Sequence, residues 1–250
     1  MYLQTFATLP STNQYCELLN LAEVEEFTVI RAVEQTAGIG QRGNCWVAEG
    51  GKNLTVSFIL KPCFLPAADQ FLMTEAMSLA VTDTLAELLP HPQADIRIKW
   101  PNDIYVGLSK ICGMLISNRV QQGVLQASIV GIGLNVNQTS FPDWVPNPVS
   151  LAQLLGHELP LEPLLEQLAG HIADRYRSLR LQKSLHGEYL ALLLHRGVER
   201  DYLWQGTRLR ATLHDVDRFG HLQLVTSDGR PLSCGMKEIA FLLPSPPPLQ

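Results

Sequence analysis

Between residues 95 and 136 four β-rich segments follow one another, 95–100 (DIRIKW), 103–106 (DIYV), 110–117 (KICGMLIS) and 124–136 (VLQASIVGIGLNV), separated only by short turns. A parallel connection needs a crossover of about a dozen residues or more, usually a helix. These segments therefore have to meet as antiparallel neighbours, a meander rather than βαβ units, and the rest of the chain is arranged around that sheet.

Ahead of the meander, residues 11–19 (STNQYCELL) open with N-cap residues and continue with helical character, and residues 27–34 (FTVIRAVE) are a β-rich run. Glycine and polar residues dominate 36–51, after which 53–60 (NLTVSFIL) alternates as a strand with Leu54, Val56, Phe58 and Leu60 on one face. The expected opening is helix, strand, long glycine loop, strand. Pro66 stands where a helix can start, and Phe71, Met73, Met77, Leu79, Ala80 and Leu88 cover an apolar face of a core helix ending near Pro90.

Beyond the meander, 161–181 and 188–195 read as helices, and 208–213, 221–226 and 236–242 as short strands around Phe219-Gly220 and Asp228-Gly229 turns, a small β-barrel module. No internal repeat is visible. The fold class expected is α+β: a mixed-sheet unit over residues 1–197, a small barrel over 198–245, and a proline-rich tail over 246–250 that frays because proline cannot pair in a sheet.

Composition narrows the functional classes. Hydrophobic residues are 46% and charged residues 17%, enough for a real core. The formal net charge of -5 and the absence of a dense Lys/Arg run leave no electrostatic footprint for bulk nucleic acid or anionic membrane. No apolar stretch approaches the roughly 18 residues of a membrane helix, and residues 1–10 lack a basic leader region, so a cytoplasmic protein is expected. Five scattered cysteines (Cys16, Cys45, Cys63, Cys112, Cys234) with no CxxC pair read as reduced, mostly small core residues, and the histidines show no HExxH spacing.

Three stretches carry chemistry. Residues 38–43 (GIGQRG) match GxGxxG literally and follow a strand, but a dinucleotide turn needs a helix starting inside the fingerprint, and here Asn44-Cys45-Trp46 leads through Gly50-Gly51 into another strand. The loop is then either a lid whose N–H groups and Arg42 close over an anion, or a plain mobile connection. Residues 99–103 (KWPND), followed by KxxGxL at Lys110, Gly113 and Leu115, place two of the chain's few lysines around a tight turn with Asn102 and Asp103. That set suits phosphate and magnesium, and it also suits a Pro-Asn turn with solvated lysines. In residues 131–137 (GIGLNVN) two glycines inside a strand admit either close approach of a ligand or a bulge.

Taken in this order, the stretches make the chain resemble the biotin protein ligases over nearly its whole length. The resemblance rests on Ser11-Thr12-Asn13, the loop from Gly38 to Trp46, Lys99 to Asp103, Lys110 to Leu115, and Gly131 to Asn137, with the KWPND and KxxGxL pair the most specific. It implies a catalytic domain related to that of the lipoate ligases with a C-terminal SH3-like barrel. It also implies ATP-dependent activation of biotin to biotinyl-5'-adenylate and transfer to the lysine of a biotin carboxyl carrier protein.

By family position, the uncharged ureido ring would meet Ser11, Thr12, Asn13 and Gln35, with Ile39, Gly40, Gln41, Gly113 and Gly133 completing the biotin slot. Lys110 would lie between the biotin carboxylate and the α-phosphate. Arg42 and Lys99 would handle phosphates, Asn102 and Asn135 would position the nucleotide, and Trp46 would pack on the adenine or close the loop. Asp103 would hold Mg2+ or assist the carrier amine, so the catalytic set is Lys110, Arg42 and Asp103.

The chain departs from the family's arginine-rich GRGRRG at Ile39 and Gln41, and Ser117 replaces an acidic residue common after GxL. A lid that has lost a guanidinium is expected to hold its adenylate less tightly. Some relatives carry an N-terminal helix-turn-helix, for which the STN motif at residue 11 leaves no room, so the expectation is a catalytic-only ligase without DNA or membrane binding. A homodimer through exposed edge strands is open. Two rival readings are a lipoate or octanoate ligase or transferase of the same fold, and a noncatalytic biotin-binding module with a decayed lid.

Overall fold

The computed structural model describes residues 1–89 and 94–244, with the side chain of Arg42 outside the described set. The expected tail at 246–250 thus lies outside the described residues. The fold is mixed α and β, built on a seven-stranded sheet ordered β1-β2-β3-β7-β6-β5-β4: β1 (Tyr2–Leu9), β2 (Thr28–Gln35), β3 (Leu54–Leu60), β4 (Ile96–Lys99), β5 (Asp103–Val106), β6 (Ser109–Gln121) and β7 (Val124–Leu134). The meander runs β4 to β7 antiparallel, as the short turns require, and β7 then lies against β3.

The opening differs from the expected helix-then-strand. Strand β1 precedes α1 (Thr12–Leu18) and pairs in parallel with β2, so the chain starts with a crossover through that short helix. As an edge strand β1 exposes most of its residues, and its composition therefore carries no clear buried face to read.

Leu54, Val56, Phe58 and Leu60 do share a face and join the main core, but β3 is buried on both sides, with Ile59 entering a smaller cluster beside Cys16 and Ile30. This leaves Thr55 and Ser57 as polar residues in a covered strand. Helix α2 (Phe71–Leu88) is buried over most of its circumference because it lies between the sheet and α4 (Leu161–Arg180), whose Leu164, Leu168 and Ile172 close the core. A short α3 (Leu151–Leu155), started by a Ser150 capping box, and α5 (His186–Leu192) complete the layer.

The C-terminal part is a five-stranded antiparallel sheet ordered β11-β10-β9-β8-β12: β8 (Glu199–Trp204), β9 (Thr207–Val216), β10 (Leu222–Thr226), β11 (Pro231–Cys234) and β12 (Ile239–Phe241). Strands β8 and β11 add to the three expected. The first is rich in charge, and the second starts with a proline at the sheet edge, where a missing N–H is tolerated. Cys16, Cys112 and Cys234 are buried, Cys45 and Cys63 exposed, and all five are free thiols. Among the described residues no helix is long and apolar enough to cross a membrane.

Candidate active site

Three glycines on β6 and β7 make a bare patch of sheet. Gly113 pairs with Gly133, and Gly131 lies between Ser57 of β3 and Leu115 of β6, with the ladder in register at each. A methyl group on Gly131 would overlap the Asn13 carboxamide, and one on Gly133 the Trp46 indole. At Gly113 it would come within 3.0 Å of the same indole and 3.3 Å of Lys110 Nζ. These glycines therefore serve close approach and not a bulge.

The start of α1 forms one end of this patch. Ser11 caps the helix, and Thr12 and Asn13 are buried. Gln35 Oε1 accepts from the Thr12 N–H at 2.8 Å and the Thr12 hydroxyl at 3.2 Å. Asn13 Nδ2 donates to the Leu115 carbonyl at 3.0 Å, and the Ser57 hydroxyl lies 2.6 Å from Asn13 Oδ1 and 2.8 Å from Thr12 Oγ1. The cavity above, about 100 Å³, is lined here by neutral donors and acceptors with Val56, Leu115 and Ile132 among them. Ser57 was not among the expected residues; its signal was a hydroxyl, with that of Thr55, in an otherwise apolar covered strand. Behind it, burial and then the Glu17 charge push the Cys16 thiol up to about 12, so it stays protonated and is no nucleophile.

The other end carries charge. Lys110, at the start of β6, has its Nζ 2.8 Å from Asp103 Oδ1 and 5.7 Å from the centre of the Trp46 ring. Asp103 Oδ2 faces Lys99 Nζ at 4.0 Å, and Lys99 in turn lies over the Tyr105 and Phe241 rings, toward the C-terminal sheet. Both oxygens of Asp103 thus look at ammonium groups. Among the described residues no three His, Cys, Asp or Glu side chains gather as a metal site. With both Asp103 oxygens held by ammonium groups, this donor set does not fit a resident magnesium.

The glycine loop tightens into a single 3-10 turn at Gln41–Gly43, and Gln41 Nε2 donates to Asn102 Oδ1 at 2.7 Å. Asn102 is buried and ties the loop to the turn between β4 and β5, where the Trp100–Pro101 peptide is cis. Ile39 and Gly40 line the same cavity.

A second cavity of about 260 Å³ shares Asn44, Cys45, Trp46 and Lys110 with the first and continues to Asn135, Phe141 and Trp144. Its far wall is anchored on Lys110 itself, whose N–H donates to Asn147 O at 2.6 Å and whose carbonyl accepts from the Val149 N–H at 2.9 Å. Asn135 Nδ2 donates to Val149 O at 3.0 Å, while its Oδ1, like Trp46 Nε1, is buried without a partner among the described residues. Trp144, 65% exposed, was missed in the sequence because a single aromatic in a loop carries no periodicity. The structure thus brings together Ser11, Thr12, Asn13, Gln35, Ile39, Gly40, Gln41, Trp46, Asp103, Lys110, Gly113 and Gly133 around one cavity, and Asn135 around its neighbour. Lys99 and Asn102 stand behind that wall, and the Arg42 side chain is outside the described set.

Comparison with known proteins gives the family and the fold. Residues 5–135 match the profile of the biotin/lipoate A/B protein ligase family. The bifunctional ligase/repressor BirA of Bacillus subtilis is 31% identical over 233 residues, covering 88% of this chain and 68% of that protein. The biotin--[acetyl-CoA-carboxylase] ligase of Paracoccus denitrificans is 34% identical over 148 residues, covering 56% of this chain and 59% of that protein. This chain spans about half to two thirds of the length of the curated relatives it matches first. In fold it is similar to the biotin protein ligase from Aquifex aeolicus in complex with biotin and ATP, with a TM-score of 0.78 at 24% identity over 96% of this chain and 97% of that one.

Proposed function

We propose that this chain, which belongs to the biotin/lipoate A/B protein ligase family, converts biotin and ATP to biotinyl-5'-AMP and passes the acyl group to a lysine of a biotin carboxyl carrier protein. The observation that carries the reading is the pair of cavities meeting at Lys110, one with a neutral hydrogen-bonding end beside glycines, the other lined by aromatics and Asn135.

The ureido ring of biotin has no charge and matches the Ser11, Thr12, Asn13 and Gln35 end, where Thr12 and Asn13 are oriented by Gln35, the Leu115 carbonyl and Ser57 behind them. The valeryl chain then runs toward the charged end of the cavity and brings its carboxylate to Lys110. From the second cavity the nucleotide presents its α-phosphate to the same ammonium, and magnesium arrives with the nucleotide. A carboxylate oxygen attacks the α-phosphorus, the bond to the β-phosphate oxygen breaks, and pyrophosphate leaves. Lys110 offsets the repulsion between the two anions and stabilises the charge that grows on the phosphorane oxygens. Arg42, on the lid, is assigned to the leaving phosphates.

Asn135 cannot be turned over, because its Nδ2 serves the Val149 carbonyl, so an acceptor is what it offers the second cavity. The exocyclic amine of adenine suits that acceptor, and Trp46 and Trp144 supply flat apolar faces for the base. In the second step the carrier amine attacks the acyl carbon, AMP leaves, and Asp103 accepts the amine's proton while Lys110 holds the phosphate. Closing the Gly38–Trp46 lid on its Gln41–Asn102 tether keeps water from the mixed anhydride.

Biotin-dependent exchange between ATP and labelled pyrophosphate, measured without carrier for wild type and Lys110→Ala, tests this. Exchange in the wild type and its loss in the variant are expected. Biotin binding without exchange would move the assignment to a noncatalytic module, and displacement of biotin by lipoate at equal concentration would move it to the lipoate branch.

A further inference from the structure

The turn that carries Asn102 and Asp103 is gripped from outside both cavities. Tyr189 of α5 is completely buried, and its hydroxyl donates to the Pro101 carbonyl at 2.7 Å. Trp100, also buried, donates its indole N–H to the Gly220 carbonyl at 3.1 Å, in the loop between β9 and β10 of the C-terminal sheet. That loop is closed on Asp217: the Gly220 N–H donates to its carbonyl at 2.8 Å, and the Phe219 and His221 N–H groups donate to Asp217 Oδ1 at 2.9 Å each. Gly220 has φ +86 and a methyl there would overlap the Phe71 ring, so only glycine fits the position. Phe71 in turn meets the Tyr189 ring edge-on at 5.7 Å.

The two carbonyl and indole contacts fall on the residues immediately before Asn102. The Pro101 carbonyl belongs to the peptide that ends at the Asn102 nitrogen, so its direction sets where Asn102 meets Gln41 of the lid and where Asp103 meets Lys110. A buried carbonyl deprived of its donor is costly enough to turn its peptide toward another partner.

We propose that Tyr189 and the loop at residues 217–221 are positioning elements for the reaction, and that fixing this turn is what the C-terminal sheet contributes to the active site. The inference rests on the biotin-ligase reading above. Tyr189→Phe removes only the hydroxyl. Tyr202→Phe is its matched control, because the Tyr202 hydroxyl is buried in the C-terminal sheet with no partner among the described residues.

Tyr189→Phe is expected to lower the kcat of pyrophosphate exchange about tenfold or more while biotin Kd stays within about twofold, since one lost buried hydrogen bond at the turn leaves the biotin wall intact. Its amides at Trp100, Asn102 and Asp103 should exchange with deuterium faster than in the wild type, and Tyr202→Phe should change neither quantity. Trp100→Phe, which removes the other hydrogen bond, is expected to repeat the kcat loss and serves if Tyr189→Phe does not fold. A wild-type kcat in a Tyr189→Phe protein of lowered Tm, or an equal loss in Tyr202→Phe, would overturn the proposal. If the wild type itself catalyses no exchange the ligase reading fails, and unchanged deuterium protection at 100–103 in Tyr189→Phe would then sink the positioning claim separately.

Discussion

Replacing Gly131 by alanine tests whether the bare glycine patch is the floor of the biotin site. The added methyl would occupy the space of the Asn13 carboxamide, so either the side chain or the strand has to move. If Asn13 swings away, it gives up its bond to the Leu115 carbonyl and its contact with Ser57. Two hydrogen bonds at about 1 kcal/mol each come to about 2 kcal/mol, which, where biotin has to restore Asn13 to its place, is about 30-fold in affinity. If Asn13 holds and β7 yields, the cost appears as overpacking, about 1–3 kcal/mol of stability. Isothermal titration with biotin, together with chemical denaturation, separates the two routes. Gly170→Ala is the companion substitution: Gly170 lies in α4 with open space around it, so alanine there should add about 0.5–1 kcal/mol of stability through helix propensity and leave biotin binding alone. A Gly131→Ala protein with wild-type biotin Kd and wild-type stability would refute the placement of Asn13 against the floor.

Two further outcomes are expected. His186 bridges Glu75 of α2 and Asp215 of β9 at 2.7 and 3.1 Å; burial opposes its charge, but hydrogen bonds to the two carboxylates outweigh it and raise its pKa above 6.5. Glu75, 2% exposed and close to Tyr189, is raised above 4.5 chiefly by burial, against the pull of His186. Both groups hold protons more readily in the folded protein, so the stability they lend is present at low pH and lost as pH rises through their folded values. For His186 that loss begins above about pH 6.5, the unfolded value, and Tm should fall more steeply from there upward in the wild type than in His186→Gln; parallel Tm curves would contradict it. Ile39 leaves the lid tethered by the neutral Gln41–Asn102 pair, so Ile39→Arg is expected to slow release of the adenylate in a chase experiment, and an unchanged off-rate would remove the idea that this lid is loose.

Much of the site could be read in the chain because its parts are local. The Ser11 cap and the polar Thr12 and Asn13 follow from an N-terminal helix signal, the turn at residues 99–103 from a proline between two β-rich runs, and the glycines from their place inside strands. Each of these is decided by backbone geometry within a few residues. Even so, sequence left two alternatives for every motif, lid or loose loop, phosphate kit or solvated turn, close approach or bulge.

The glycine alternative is resolved by contacts between residues far apart in the chain, and the others turn on contacts of the same kind. Whether Gly131 and Gly133 are a bulge or a floor depends on Asn13 and Trp46 lying over them, and whether Asp103 holds a metal depends on Lys110 and Lys99 facing it. Strand β1, polar on an edge, and Ser57, a hydroxyl inside a covered strand, gain their meaning only from their neighbours in the sheet. The same holds for the hydrogen bonds from Tyr189 to Pro101 and from Trp100 to Gly220. Periodicity and turn chemistry determine which elements this chain forms and which residue types stand at their ends. Which side chain meets which, and which polar atom is left waiting for a ligand, is settled by packing, because burial makes a hydrogen bond obligatory only once the fold has removed the water.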